Sequence, residues 1–268
     1  FAAIGGAMLG SAGRPTASAL ILLIVTGTMA SGGASAVNQY LEQGDDALMQ
    51  RTRRRPLVTG FYRRAGWVAA VGVGLVLLAM LIAALAGNLT LAFWLGMGAA
   101  VYLFVYTIWL KPRTLLNIVI GGAAGSCAVL SGGAAVGEWA DPGVLILSML
   151  VFAWTPTHFW SLALAYRDDY LKTGVPMLPA RMTPHRAAVW MLAHAFITAL
   201  IALTLSARPA LGWLYLVPVG AATIWLARES IRLLASPDQE QAFKLFKVSN
   251  IYLGLVLLFI CIDTLIKL

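Results

Sequence analysis

Charged residues are scarce in this 268-residue sequence: they make up 11% of it, while 60% of the residues are hydrophobic. A soluble domain carries about 25% charged residues, so this composition excludes a water-soluble globular fold. Cysteine is nearly absent too. Cys127 and Cys261 lie far apart in apolar stretches, which excludes a disulfide framework and favours two buried packing residues. The net charge of +8 does not indicate a nucleic-acid partner, because the basic residues border the apolar stretches.

Long apolar stretches dominate the rest of the sequence. A helix that crosses the hydrocarbon needs roughly 20 apolar residues at a rise of about 1.5 Å each, and nine stretches fit, the first only in part. They cover residues 1–12, 17–40, 65–86, 89–109, 114–136, 143–166, 187–206, 209–227 and 247–266. Because the first stretch is half-length and opens with Phe1, we expect the sequence to begin inside a helix. The prediction is an all-α, polytopic transmembrane helix bundle of about nine spans, forming one membrane domain over residues 1–268.

The basic residues are distributed unevenly between the two ends of this predicted bundle. Sixteen of the 19 fall in four loops on one side, whereas Arg14, Arg208 and Lys267 fall on the other. The positive-inside rule places the richer side in the cytoplasm or the mitochondrial matrix. We therefore predict an integral multi-pass protein of a bacterial cell membrane or the mitochondrial inner membrane. One loop on the basic side, residues 228–246, has the pattern of a surface amphipathic helix.

The loop over residues 41–64 follows a row of oxygen-bearing side chains. Asn38, Glu42, Asp45 or Asp46, and Met49 recur at helical spacing, so they share one face if the preceding helix continues past the membrane surface. Mg²⁺ is commonly held by a few carboxylates together with substrate phosphates. Guanidinium groups, which bind phosphate oxygens in a two-pronged manner, follow at once. They belong to Arg51, Arg53, Arg54 and Arg55.

The loop over residues 166–186 repeats this composition on the same side. Asp168 and Asp169 stand at the end of a span, Lys172 follows, and Gly and Pro residues turn the loop back. Lys111 and Arg113 lie in a third loop on this side. Carboxylates at the ends of spans are disfavoured unless they are paired or functional. The sequence thus predicts a site for Mg²⁺ and a diphosphate at this face, above an apolar bundle that can hold a lipid tail.

Four longer strings resemble a known family. NQYLEQGDDALMQRTRRRPL, YTIWLKPRTLLNIVIGGAAG, WTPTHFWSLALAYRDDY and GVPMLP, within residues 20–180, are similar to the heme O synthases (protoheme IX farnesyltransferases), a branch of the UbiA-type intramembrane prenyltransferases. The resemblance implies a nine-helix bundle around a central cavity that opens near the cytoplasmic or matrix face. It also implies Mg²⁺-dependent transfer of a farnesyl group from farnesyl diphosphate to a vinyl group of heme b. Water is added, giving heme O for terminal oxidase maturation.

The resemblance assigns roles to individual residues. It places the metal ligands at Asn38, Glu42, Asp46 and Asp169, and Asp168 completes the catalytic set. It places diphosphate binding at Arg51, Arg55, Lys111, Arg113 and Lys172. Two positions depart from the pattern: Glu42 stands where the wider superfamily has Asp, and Gly44 where many heme O synthases have Asp.

Aromatic and histidine residues in the spans supply candidate contacts to the organic substrates. Aromatic faces stabilise cations, and the candidates for an allylic cation are Tyr102, Tyr106, Trp109, Trp154, Phe159 and Trp160. His158 lies inside a span beside Pro156, at a depth where an imidazole is costly unless it is paired or faces the interior. We predict that His158 contacts heme, together with Tyr166. The alternative is an interhelical hydrogen bond.

Three other functions fit parts of this pattern. A related prenyltransferase that acts on a quinone precursor or another aromatic acceptor would share both acidic motifs. A transporter would need polar groups near the middle of the bilayer, whereas here they gather at one face. A non-catalytic heme-handling protein would share the heme contacts. Under the favoured interpretation the partners are farnesyl diphosphate, heme b, the lipid bilayer and a heme-supplying protein or heme A synthase, with no nucleic acid.

Overall fold

Helices alone make up the regular secondary structure of residues 1–266, the part of the chain that the computed structural model describes. The α-helices are α1 (Ala2–Gly10), α2 (Ala17–Leu41), α3 (Gln43–Leu48), α4 (Ala65–Leu85), α5 (Leu89–Ala100), α6 (Asn117–Gly121), α7 (Ala123–Ala135), α8 (Pro142–Ala165), α9 (Arg167–Thr173), α10 (Leu178–Arg181), α11 (Pro184–Leu205), α12 (Trp213–Ala235) and α13 (Gln239–Ile266). A π-helical segment, Val101–Leu110, continues α5. The predicted all-α class is confirmed. Lys267 lies outside the described residues.

Seven helical stretches in residues 1–266 are long and apolar enough to cross a membrane. They are α2, α4, α5 with the π-helical segment, α6 with α7, α8, α11 and α13. Each coincides with a predicted span. The other two predicted spans correspond to α1, which has nine residues, and to α12, whose last third carries Arg228, Glu229 and Arg232. The multi-pass architecture is confirmed, and the count of nine spans stays a prediction.

Three of the long helices begin where a capping side chain meets the first turn. Thr16 at the start of α2 and Thr183 at the start of α11 each accept one backbone N–H, and Asp141 accepts two at the start of α8. Such side chains satisfy N–H groups that have no partner within the helix. Proline follows both Asp141 and Thr183, at a position where its fixed φ suits a helix and its missing N–H is not needed. The local sequence therefore sets where α8 and α11 begin.

Small residues allow two helix pairs to pack with their backbones in close contact. A Cβ added at Gly33 of α2 would overlap the carbonyl oxygen of Gly72 in α4, and one added at Gly132 of α7 would overlap that of Ala3 in α1. Close backbone approach at small residues is the usual way in which helices associate in lipid. These contacts hold α4 against α2 and α1 against α7.

Polar contacts between loops show which loops share an end of the bundle. Glu42 after α2 pairs with Lys111 after the π-helical segment, Asp169 in α9 accepts the N–H of Gln50, and Asp168 accepts from Gln239 at the start of α13. The four basic loops therefore lie together, as the predicted alternation requires. The ion pair between Asp141 and Arg208 joins two loops at the opposite end.

The surface amphipathic helix predicted over residues 228–246 is wrong. Helix α12 continues unbroken to Ala235, and α13 begins at Gln239, so the stretch is the end of one long helix, a short turn over residues 236–238 and the start of another long helix. Glu229 is 1% exposed and pairs with Arg232 at 2.8 Å and with Lys244 at 3.3 Å. Arg232 and Lys244 thus satisfy the charge of Glu229. The buried apolar residues of this stretch, Leu233, Ala242 and Leu245, pack inside the bundle and not on a membrane surface.

Cysteine labelling can test the assignment of sides. In a background with Cys127→Ala and Cys261→Ala, we expect single cysteines at exposed positions of the four basic loops to react with an impermeant thiol reagent from the cytoplasmic or matrix side only. Suitable positions are Arg54, Arg113, Arg181 and Glu240, and the controls for the other side are Glu138 and Ala207. Labelling of one basic-loop cysteine from the other side would contradict the predicted topology.

Candidate active site

Two buried polar side chains join the end of α2 to the π-helical segment. The Asn38 Nδ2 amide donates to Thr107 Oγ1 at 3.0 Å, and Thr107 Oγ1 donates to the carbonyl of Tyr102 at 2.8 Å. The second bond connects residues five apart, which is the spacing of a π-helix. π-Helical turns inside α-helices occur frequently at functional sites, and this one fixes the position of Asn38 against the aromatic side of the segment.

Helix α2 does not continue unbroken through the acidic loop. It ends at Leu41, and Glu42 links it to α3 with φ −100° and ψ 10°. Backbone hydrogen bonds still run from the Glu42 N–H to the Asn38 carbonyl and from the Asp46 N–H to the Glu42 carbonyl, at 3.0 and 2.9 Å. Asp46 is buried, whereas Asp45 is half-buried. The structure thus keeps Asn38, Glu42 and Asp46 on successive turns and favours Asp46 over its neighbour.

Each predicted acidic ligand is paired with a predicted diphosphate-binding residue. Glu42 Oε1 lies 2.5 Å from Lys111 Nζ, Asp46 Oδ2 lies 2.6 Å from Arg55 Nη1, and Asp169 Oδ1 lies 3.0 Å from Lys172 Nζ. Carboxylates removed from water need such partners, because desolvation opposes their charge. The three ion pairs form one charge-balanced cluster, which we call the acidic cluster.

Asp169 also joins the two acidic loops to each other. Its Oδ2 accepts the backbone N–H of Gln50 at 2.9 Å. Burial acts to raise the pKa of the Asp169 carboxyl, but the hydrogen bonds from Lys172 and from the Gln50 N–H outweigh it and lower the pKa below its ordinary value. Burial raises the pKa of Asp45, with Lys111 opposing that shift. Asp168 is exposed and accepts from Gln239 Nε2 at 3.3 Å.

A cavity of about 360 Å³ adjoins the acidic cluster. Its polar lining comprises Asn38, Glu42, Arg51, Arg55 and Lys111. Its aromatic lining comprises Tyr102, Tyr106, Trp154, Phe159 and Tyr170. The rings of Tyr102 and Tyr106 are stacked, with centroids 6.1 Å apart and planes at 9°. The cavity therefore offers both cationic groups and aromatic faces, and Lys111 Nζ lies 6.0 Å from the centroid of the Tyr106 ring.

Seven predicted site residues lie outside the lining of this cavity: Asp46, Arg113, His158, Tyr166, Asp168, Asp169 and Lys172. Asp46 is connected to the cavity through its partner Arg55, which lines it. Asp169 is connected to it through the loop at Gln50, whose N–H it accepts. Arg113 is turned away, because its Nη1 donates to the carbonyls of Ile108 and Trp109 at 2.9 and 2.8 Å. Lys172 is exposed and contacts Asp169. Of the predicted aromatic candidates, Trp109 and Trp160 do not line the cavity.

Two features of the lining were not predicted from the sequence. Tyr170, directly after the acidic pair, is buried and hydrogen-bonded to Arg51. Gly121 lies under the ring of Tyr106, and an added Cβ would come 2.6 Å from Tyr106 Cδ2. The signals were the tyrosine next to the acidic pair and the glycines in the segment over residues 121–125. Both residues determine how the aromatic and cationic side chains fit around the cavity.

His158 lies between α8 and α13. Its Nδ1 is 3.0 Å from Ser249 Oγ, and its ring stacks between Trp154 and Phe246, at centroid distances of 4.3 and 4.6 Å. These contacts support the alternative of an interhelical hydrogen bond. Tyr166 packs edge-on against Phe243, also in α13. The heme contacts of His158 and Tyr166 stay predictions.

The acidic cluster presents carboxylate oxygens, the donor type that Mg²⁺ prefers. Within residues 1–266, no three His, Cys, Asp or Glu side chains converge closely enough to hold a metal by themselves. Mg²⁺ usually takes one or two carboxylates together with phosphate oxygens and water. Glu42, Asp46 and Asp169 supply hard oxygen ligands of that type, so the residues fit Mg²⁺ if a diphosphate completes its coordination.

A second cavity, of about 580 Å³, adjoins the first. We call it the apolar chamber. It lies among α1, α2, α5 and α7, and most of its lining consists of Ala, Gly, Leu and Ile with a few Ser and Thr. Tyr102 and Ala124 line both cavities. The polar cavity and the apolar chamber therefore meet at these two residues.

Comparisons with known proteins agree with the sequence motifs. A model of the UbiA prenyltransferase family matches residues 1–251. A protoheme IX farnesyltransferase of Metallosphaera sedula is 38% identical over 268 residues, which cover 99% of this chain and 91% of that protein. One from Saccharolobus islandicus is 40% identical over 269 residues, which cover 99% and 92%. The similarity thus extends beyond the strings within residues 20–180.

Solved structures share the helical arrangement. A digeranylgeranylglyceryl phosphate synthase matches with a TM-score of 0.81 and 18% identity, over 100% of this chain and 92% of that one. A UbiA homolog from Archaeoglobus fulgidus, bound to DMAPP and Mg²⁺, matches with a TM-score of 0.65 and 14% identity, over 97% and 94%. At these identities the likeness shows the fold alone.

The bond between Asp169 and Gln50 can be tested by trypsin cleavage within residues 51–55. We expect Asp169→Asn to increase cleavage at neutral pH by about tenfold or more, since a hydrogen bond to a charged group contributes roughly 1.5–3 kcal/mol and cleavage follows the population of the open loop. Because the pKa of Asp169 is lowered, this docking is present above about pH 4 and is lost as the pH falls through the lowered pKa. The exposed neighbour gives the control, Asp168→Asn, and equal cleavage in both variants would argue against the link.

Proposed function

This chain belongs to the UbiA prenyltransferase family, and from that premise we propose that it transfers the farnesyl group of farnesyl diphosphate to a vinyl group of heme b, giving heme O. The chain is an integral, multi-pass membrane enzyme and a prenyltransferase. Two relatives at 38% and 40% identity, covered over nine-tenths of their length, are protoheme IX farnesyltransferases. The observation that carries the proposal is a cationic cavity, flanked by carboxylates, that continues into an apolar chamber. In this proposal the cavity opens toward the cytoplasm or matrix.

The diphosphate binds at the polar lining of the cavity. Arg51, Arg55 and Lys111 supply cationic donors there, and Arg55 and Lys111 are also the partners of Asp46 and Glu42. Mg²⁺, when bound by Glu42, Asp46 and Asp169 together with diphosphate oxygens, supplies additional positive charge that stabilises the leaving group. The cationic side chains stabilise the same developing charge, which is an electrostatic form of catalysis. The Archaeoglobus fulgidus homolog, which shares this fold, was solved with DMAPP and Mg²⁺ bound.

The reacting carbon lies at the aromatic side of the cavity. When the carbon–oxygen bond to diphosphate breaks, its electron pair leaves with the diphosphate and C1 of the farnesyl chain becomes an allylic cation. The faces of Tyr102, Tyr106, Trp154 and Phe159 can stabilise this cation. The vinyl π electrons of heme then form the new bond to C1. Water adds to the resulting cation and releases a proton, which leaves a hydroxyl group.

The experiment that tests the proposal is the reaction itself. Purified protein incubated with heme b, farnesyl diphosphate and Mg²⁺ should give a heme heavier by one farnesyl group and one hydroxyl group, measured by mass spectrometry. EDTA should abolish the product and added Mg²⁺ should restore it. If heme b stays unmodified while a quinone precursor is prenylated, the related aromatic prenyltransferase is the correct function.

The metal assignment is tested by neighbouring carboxylates. We expect Asp46→Asn to lower the rate by far more than tenfold, because it removes a buried ligand and the partner of Arg55. The matched control is Asp45→Asn, which removes the half-buried neighbouring carboxylate that is not the partner of Arg55 and should keep most of the activity. A loss below about tenfold in Asp46→Asn, equivalent to roughly 1.4 kcal/mol, would rule out Asp46 as a ligand, provided that the melting temperature is unchanged.

Heme contact by His158 is tested against its hydrogen-bond partner. His158→Ala and Ser249→Ala both remove the bond between α8 and α13, so each should lower the melting temperature by a similar amount. If His158 also contacts heme, only His158→Ala should weaken heme binding and change the Soret spectrum, with farnesyl diphosphate affinity retained. Equal heme binding by both variants would mean that His158 only joins the two helices.

A further inference from the structure

Asn117 is a fully buried polar residue that joins two loops of the candidate site. It is 0% exposed. Its Nδ2 amide donates to the carbonyl of Lys111 at 3.4 Å and to the carbonyl of Pro176 at 3.3 Å. Lys111 follows the π-helical segment, whereas Pro176 lies in the acidic loop over residues 166–186. One amide group therefore connects the loop that carries Lys111 to the second acidic loop.

The two carbonyls determine which way the Asn117 amide points. Both are hydrogen-bond acceptors, so the NH₂ group must face them and the Oδ1 atom is turned away. Within residues 1–266 this buried oxygen has no hydrogen-bond partner. An unpartnered buried oxygen opposes folding, and such an atom in a native structure needs an explanation beyond packing. A leucine would fill the same space without that cost, so what this position supplies is the amide group and its two contacts.

Lys111 is held on both sides of its own backbone. Its N–H donates to the carbonyl of Tyr106 at 2.8 Å, across the last turn of the π-helical segment, and its carbonyl accepts from Asn117. Its ammonium group lies at the polar lining of the cavity, 2.5 Å from Glu42 Oε1. Because a lysine side chain is a flexible four-carbon stem, the position of the backbone determines how far into the cavity the ammonium group reaches.

We propose that Asn117 is a positioning residue of the diphosphate site: its amide fixes the backbone of Lys111 against Pro176, so that the Lys111 ammonium group meets the diphosphate oxygens. This inference rests on the proposed function, because it assumes that the diphosphate binds at Lys111. Asn117 does not line the cavity, so its effect on the substrate passes through Lys111. This dependence distinguishes positioning from a general contribution to folding.

The experiment measures the affinity of the purified protein for farnesyl diphosphate, with Mg²⁺ and without heme. Asn117→Leu keeps the size of the side chain and removes the amide, and it should weaken binding by about threefold to tenfold, the range to which one ordinary hydrogen bond corresponds. Asn117→Ser, whose shorter side chain cannot reach both carbonyls, should also weaken binding and replaces the leucine variant if that variant does not fold. In a Lys111→Met background, Asn117→Leu should cause no further loss, since the group through which it acts is gone.

Asn88 provides a matched control at the other end of the bundle. Its Nδ2 amide donates to the carbonyl of Ala134 at 2.8 Å, and its Oδ1 accepts the N–H of Leu91 at the start of α5. It is thus an asparagine that also joins two parts of the bundle, but far from the acidic loops. Asn88→Leu should lower the melting temperature and leave the affinity for farnesyl diphosphate unchanged.

The outcomes separate this inference from the proposed function. Unchanged affinity in folded Asn117→Leu and Asn117→Ser proteins would overturn the positioning role. An equal loss of affinity in Asn88→Leu, or a further loss in the Lys111→Met background, would overturn it as well, because the effect would then arise from loosening of the bundle. Lack of a farnesylated heme in the wild-type reaction, with farnesyl diphosphate still bound, would overturn the proposed acceptor and leave the binding comparison intact.

Discussion

Burial of carboxylates at one end of the bundle is the constraint on which the site depends. Asp46 and Asp169 are almost fully removed from water, and an unpaired charge in such a place costs several kcal/mol. Arg55 and Lys172, which are near in sequence, compensate part of this cost. The N–H of Gln50, which binds Asp169, comes from another loop, and so does the ammonium group of Lys111, which pairs with Glu42. These loops must therefore meet at one end of the bundle, and this requirement fixes how the spans that carry them are arranged.

The π-helical segment converts this convergence into a cavity. An α-helix after Ala100 would present successive side chains at a different angle, whereas the wider turns bring Tyr102 and Tyr106 into a stacked pair that faces the polar residues. Thr107 closes the wider turn by donating to the Tyr102 carbonyl and receives the amide of Asn38. Gly121 leaves room for the ring of Tyr106. Asn38, a predicted metal ligand, and the aromatic lining are thus positioned by one hydrogen-bonded unit.

Sequence patterns predicted the spans and the shared end of the acidic loops, because hydropathy and charge act over whole segments. They could not predict side-chain direction. Arg113 and Lys111 are two residues apart, yet only Lys111 faces the cavity, since the choice depends on where Glu42 lies in another loop. The stretch over residues 228–246 has an amphipathic pattern because it is made of the end of α12 and the start of α13, which bury their apolar sides against each other. Non-local packing decided both cases.

The boundary between the two cavities explains why the chemistry belongs at Tyr102. A prenyl diphosphate is charged at one end and apolar at the other, and the protein separates the same two properties on either side of Tyr102 and Ala124. Water excluded from the apolar side cannot capture the cation formed there, while the charged side stabilises the leaving group without being buried in lipid. Under the proposed function, the bond that must break lies where the surroundings change from ionic to apolar, beside the stacked tyrosines.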